Sequence, residues 1–254
     1  MRRLRDLLRG NGALLLLVPT RVLAGIVGVG PSLVALLLLD PAAYGTAAAV
    51  VAVALVALGP VAQYLGQSYL RELMRRQADG EAVAAPSGSP AILAYVAVAV
   101  VALEIAAAAG LLATGESRRI EIILAVVVVA KILEVQFISR RRRYATVVLF
   151  YIVPPLVQSA VMAGARTVLG GDGYEATILG FLAGQGVAIA AALIGDPAAL
   201  AIFRGLVRGG PRHGARAGFV SPLLLFANGA LLSLGDQVPT ILLRAFGAAA
   251  AIPA

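Results

Sequence analysis

LLLLVPTRVLAGIVGVGPSLVALLLLD at positions 14–40 and, after the link DPAAYG at 40–45, TAAAVVAVALVALGPVAQYLG at 46–66 decide how this chain is read. Each arm is a long, mostly apolar run, enough for a helix to cross the roughly 30 Å of hydrocarbon in a bilayer. One full charge, Arg21, interrupts the first arm. An arginine inside hydrocarbon costs about 3 kcal/mol on insertion scales unless it faces other helices or a wet cavity. The hairpin is therefore expected to line something polar, with the rest of the chain packed around that surface as further hairpins.

The composition supports that reading. Of 254 residues, 60% are hydrophobic and 13% charged, and the mean hydropathy is +0.93. A soluble domain carries about 25% charged residues. Unbroken apolar runs point to helices rather than to barrel strands, whose segments are short and alternating. The fold class expected is all-α, a polytopic membrane bundle of seven helices. The absence of cysteine excludes disulfides, thiolate metal sites and thiol nucleophiles. The single histidine, His213, lies in a glycine- and arginine-rich loop and reads as solvated rather than as a ligand.

The net charge of +8 invites a nucleic-acid reading, but its placement argues against one. Lys131 is the only lysine, so twenty of the 21 basic residues are arginines, and most fall between apolar runs. That is the pattern of topology signals and of contacts to membrane lipids. The N-terminus MRRLRDLLRGNGALLLLV has the basic head of a signal peptide. Its apolar run is too long and lacks a small-residue cleavage site, so a retained signal-anchor helix is expected.

Taken in order, the basic segment 1–11 leads into helix 1 at 13–39, where Pro19, Pro31 and several glycines predict a bent, tightly packed helix. Asp40-Pro41 opens a turn, and helix 2 follows at 43–68. Residues 71–89 form a polar loop and helix 3 covers 90–114. GESRR makes a turn before helix 4 at 120–138, and SRRRRY makes another before helix 5 at 145–165. Pro154-Pro155 must kink or break helix 5. Helix 6 is expected at 175–203, residues 204–218 form a basic loop, and a seventh apolar run begins at Phe219. With the N-terminus in the cytoplasm, the inner segments hold fifteen arginines and the outer turns three, Arg118, Arg119 and Arg166. The positive-inside rule selects that orientation in the cell (cytoplasmic) membrane.

Arg21 is the most informative candidate residue. It reads as an anion contact in a central cavity, where a guanidinium grips phosphate bidentately, as a structural arginine paired with an intramembrane carboxylate, or as one snorkelling inward. Glu104 is the second candidate, as Arg21's counter-charge or as a protonatable coupling site. Lys131 and Glu134, three apart, are expected to pair on one helix face. Asn228, Asp236, Gln237 and Arg244 make the seventh run too polar for lipid, so Asn228, Asp236 and Gln237 join the cavity candidates. Arg140, Arg141, Arg142 and Arg143 read as an orientation signal and, alternatively, as contacts to acidic head groups. No GxxxxGK[ST], HExxH, GxSxG or aspartate-rich metal cluster occurs, so no enzyme, cofactor or metal is expected.

At the first hairpin the order of basic head, T-R-V-L (Thr20–Leu23), D-P-A-A-Y-G (Asp40–Gly45) and Y-L-G-Q-S-Y-L-R-E-L (Tyr64–Leu73) resembles the polysaccharide-biosynthesis flippases. These belong to the multidrug/oligosaccharidyl-lipid/polysaccharide exporter superfamily. The resemblance implies two helical lobes around a central cavity, and alternating access that carries a polyprenyl-diphosphate-linked oligosaccharide to the outer leaflet. It also places Arg21 where a cavity arginine is expected. Residues 1–218 would then be a six-helix N-terminal lobe, and 219–254 the seventh helix, opening an incomplete second lobe. A homodimer or a missing second lobe would complete the cavity. Two other readings stand beside it: a cation-coupled drug exporter of the same superfamily, and a non-transporting accessory protein of a polysaccharide machine.

Overall fold

A computed structural model describes residues 17–70, 74, 89–110, 113–140, 142–169, 173–197, 199–201 and 204. These residues are all-α, in six helical runs: α1 (Leu17–Leu38), α2 (Pro41–Tyr64), α3 (Ser89–Ala108), α4 (Thr114–Ser139), α5 (residues 143–169) and α6 (Gly173–Gly195). Five of them, all but the shorter α3, are long and apolar enough to cross a membrane. The chain is a multi-pass helical membrane protein. The seventh run expected from Phe219 onward lies outside the described residues.

Several helix ends differ from expectation, each for a local reason. Asp40-Pro41 is no turn but the start of α2. Asp40 accepts a hydrogen bond from the Ala43 N–H at 2.9 Å, and proline at the first helical position needs no donor partner. GESRR is likewise the first turn of α4, where Glu116 sits favourably at the positive end of the helix dipole. At the other end of the chain, α6 stops at Gly195 instead of running to 203. Asp196 leaves the helix and starts a new turn, with Ala199 N–H reaching its Oδ1 and Leu200 N–H its carbonyl. The dipeptide Asp-Pro thus begins a helical turn in both places.

α4, not the first hairpin, is the centre of the bundle: 67% of its most apolar 18-residue stretch is buried, against 11% of α1's. Its Ile120, Ile123, Leu124, Val127, Val128, Ile132 and Val135 share one core with Ala47, Val50, Ala54 and Val61 of α2, Ile92 of α3 and Ile178 of α6. Leu133 and Phe137 form a second core with Ala192 and Ala199, capped by Leu149 and Phe150 of α5. In α1 the α-helical bonding lapses at Val29, just before Gly30-Pro31, where the Val29 N–H bonds to the Ile26 carbonyl. The helix is not tightly packed. Val22, Ile26, Leu36 and Leu37 stand exposed, and its close approach is at Gly30, where a β-carbon would lie 3.0 Å from Ser159 Oγ. Proline and glycine in α1 signalled shape rather than centrality.

The most extensive interface joins α5 to α6, and it rests on small residues. A β-carbon on Gly180 would lie 3.0 Å from the Gln158 carbonyl, and one on Gly184 would overlap the carbonyl of Pro154. Gly180 and Gly184 are a G-x-x-x-G pair, the spacing that brings two helix backbones together where water supplies no hydrophobic drive. Gly184→Ala is therefore expected to cost about 1–3 kcal/mol through overpacking. Gly186→Ala, which meets open space, should be neutral or slightly stabilising, because alanine is the better helix former by about 1 kcal/mol. Thermal unfolding of the detergent-solubilised protein would separate the two.

Candidate polar site inside the helix bundle

Two ion pairs join α4 to α6. Near the start of both helices, the Arg119 guanidinium pairs with the Glu175 carboxylate and lies 4.9 Å over the Tyr174 ring. Near their ends, Arg140 Nη1 lies 2.5 Å and Arg142 Nη1 3.4 Å from Oδ2 of Asp196. From 119 to 140 on α4 and from 175 to 196 on α6 is the same 21-residue step, about 31 Å at 1.5 Å per residue. The two helices therefore run parallel and in register, with their ion pairs separated by about the hydrocarbon thickness of a bilayer. The residues between them are overwhelmingly apolar, and the charges among them stand out.

Glu134 lies six residues before Arg140 on α4, about 9 Å toward the middle. Its side chain is 9% exposed, and both of its oxygens are engaged. Oε2 accepts from Lys131 Nζ at 2.9 Å, across one helical turn, as expected of that pair. Oε1 accepts from the Tyr151 hydroxyl of α5 at 2.5 Å, the short end of O–H···O⁻ bonds. The charge of Arg21, from α1, is also felt at the Tyr151 hydroxyl. Lys131 is half-buried, while Tyr151 and Arg21 are exposed. One buried carboxylate thus lies behind a partly open rim of an ammonium and a phenol, with the charge of Arg21 acting on the phenol.

Pro154-Pro155 explain how Tyr151 reaches that position. A proline ring clashes with the carbonyl four residues earlier, which here would be that of Phe150 and of Tyr151. The chain answers by widening: α5 starts as Arg143–Val147, passes through a π-turn at Val148–Ile152 and resumes as Val153–Leu169, with the Val153 N–H bonded to the Val148 carbonyl. The expected kink is a one-turn π-bulge, and Tyr151 is within it. Such bulges recur at functional sites.

The structure divides the other sequence candidates. Glu104 does not face Arg21. It stands exposed on α3 beside the carboxyl of Glu121, which also feels Arg118. Glu121 is 13 residues from Glu134 along α4, so Glu104 stands about 20 Å along the bundle from the Lys131–Glu134–Tyr151 cluster. Of the tetra-arginine turn, Arg140 and Arg142 are committed to Asp196, and Arg142 also lies 5.8 Å over the Phe137 ring. Arg143 is exposed. Arg141, Asn228, Asp236 and Gln237 lie outside the described residues.

Sequence reasoning passed over Tyr151 and Gln136. Gln136, on the opposite side of α4 from Glu134, is fully buried, and neither atom of its amide finds a hydrogen-bond partner among the described residues. Its place in the apolar stretch AKILEVQFI was the signal available. Tyr151 had no such signal, because only the π-turn brings it to Glu134. No group of three or more metal-ligating side chains is found among the described residues.

No family model, curated protein or solved structure matches this chain. Asp196 is 4% exposed, so Asp196→Asn would leave two guanidiniums without their buried partner, a loss of about 3–5 kcal/mol. Glu175 is 47% exposed, and Glu175→Gln should cost no more than about 1 kcal/mol. Comparing the melting temperatures of the two variants in detergent tests this ranking.

Proposed function

We propose that this chain is a transporter of the flippase kind, which moves a polyprenyl-diphosphate-linked oligosaccharide across the cytoplasmic membrane for surface polysaccharide synthesis. The observation that carries the reading is the cluster of Lys131, Glu134 and Tyr151 between apolar helices, with the charge of Arg21 acting on Tyr151. Two cations at membrane depth cost about 6 kcal/mol together on insertion scales. One carboxylate offsets only part of that, and an excess of positive charge held at such cost suits an anionic cargo. A diphosphate offers several acceptor oxygens to a guanidinium, an ammonium and a phenol.

In this reading the Arg140 end of the bundle faces the cytoplasm, in line with the arginine bias of the loops. The site then lies about 9 Å inside the cytoplasmic ion pair, where a lipid diphosphate made on the inner leaflet would arrive. Exposed Arg143 stands at the entrance. A second lobe, from another copy of the chain or from further sequence, would close the cavity from the opposite side.

Orientation can be read without background labelling, because the chain has no cysteine. In intact cells, Arg143→Cys should resist a membrane-impermeant maleimide, and Gly115→Cys, at the opposite end, should react. The reverse pattern would invert the topology. For transport, Arg21→Ala is expected to abolish transfer of a fluorescent polyprenyl-diphosphate sugar in proteoliposomes, at equal protein incorporation. Unchanged transfer would remove the cationic-cavity mechanism.

A further inference from the structure

We infer that Glu134 is a built-in competitor for the anion this site receives, an inference that rests on the transport reading above. In the structure the Lys131 ammonium and the Tyr151 hydroxyl, which are the donors best placed to meet a phosphate, are both held by Glu134. Its carboxylate presents to them the same chemistry as a phosphate edge, two anionic oxygens 2.9 and 2.5 Å from an N–H and an O–H donor. Glu134 is almost fully buried, whereas Lys131 is half-buried and Tyr151 and Arg21 are exposed. An incoming phosphate therefore meets the donors from the open side, with the carboxylate behind them.

The charges at this level make the exchange selective. Lys131 of α4 and Tyr151 of α5 hold Glu134, the charge of Arg21 on α1 acts on the Tyr151 hydroxyl, and α2 and α6 bring no charged side chain to this level among the described residues. Two positive charges and one negative attract a single anion. The carboxylate keeps that attraction from becoming a trap, because every donor the phosphate gains is one that Glu134 gives up. A carrier needs this balance, since a site that binds its cargo without competition releases it slowly. Tyr151 stands on a widened turn instead of a regular one, the local distortion that recurs at functional sites.

Glu134→Gln tests the inference, because glutamine keeps the shape and the hydrogen bond from Tyr151 but not the charge. The full chain, in nanodiscs, would be titrated with phosphatidic acid against phosphatidylcholine, and separately with inorganic diphosphate, binding being read by native mass spectrometry. Glu134→Gln should tighten binding of the phosphate probe by about tenfold, in the usual range of coupling between groups, while slowing polyprenyl-diphosphate transfer. Tightening for phosphatidic acid alone identifies a lipid head group, and tightening for inorganic diphosphate alone identifies a free anion. Glu134→Asp, which draws the carboxylate back by one methylene, should fall between wild type and Glu134→Gln. Lys131→Met added to Glu134→Gln should erase the gain. Equal or weaker binding of both probes by folded Glu134→Gln and Glu134→Asp would overturn the inference, since a purely structural glutamate can only lose by substitution. Arg21-dependent transfer without any tightening leaves the transport reading standing and removes the exchange. Tightening by Glu134→Gln, when the wild-type protein itself shows no transfer, keeps the exchange and removes the transport reading.

Discussion

The parallel register of α4 and α6 is the constraint on which the other parts depend. Arg119–Glu175 and Arg140–Asp196 grip the two helices at points 21 residues apart on each. A slip of one residue would break both pairs and rotate every side chain of one helix by about 100° against the other. The end pairs differ in kind. The one at Glu175 is half-exposed and worth little in free energy. The one at Asp196 is nearly sealed, and leaving its charges unpaired would be far more costly than the pair's net contribution. Asp196 also starts the turn that follows α6, so one side chain ends a helix, begins the next turn and anchors two arginines.

With α4 held in place, its two faces do different work. One carries branched aliphatic side chains into the main core, with α2, α3 and α6 closing around Ile120 to Val135. The other turns Lys131 and Glu134 toward α5, where the π-turn supplies Tyr151. The glycines of α6 make that geometry possible. Because Gly180 and Gly184 let the backbone of α5 approach so closely, α5 sits against the bundle at the level of Pro154, immediately above Tyr151. The close backbone packing follows from the α6 glycines, and the widened turn next to it from the proline pair.

The helical runs were legible in the sequence, and for one reason. Apolar runs of this length in a chain with so little charge have few alternatives, since backbone polar groups in hydrocarbon must be satisfied within the helix. Boundaries were less legible where a polar motif has two uses. Asp40-Pro41 and GESRR read as turns because they are polar, yet they start helices because aspartate caps, proline opens and an acidic first turn suits the dipole. The weight given to the first hairpin was misplaced as well. Length and apolarity are shared by a helix at the centre and one at the edge, and α1 is at the edge.

The sequence by itself determined an all-helical, multi-pass membrane protein, the Lys131–Glu134 pair and the distortion at Pro154-Pro155. These follow from composition, from the three-residue spacing on one helix face and from the covalent structure of proline, none of which requires a partner. Only the tertiary structure decided that α4 is the centre, that Glu104 stands with Glu121, and that Tyr151 meets Glu134 with the charge of Arg21 acting on it. Those outcomes depend on which helices are neighbours and on their relative height. In a chain built of alanine, valine and leucine, many neighbours are nearly equivalent in packing, so the choice is made by a few glycines and by ion pairs 56 residues apart.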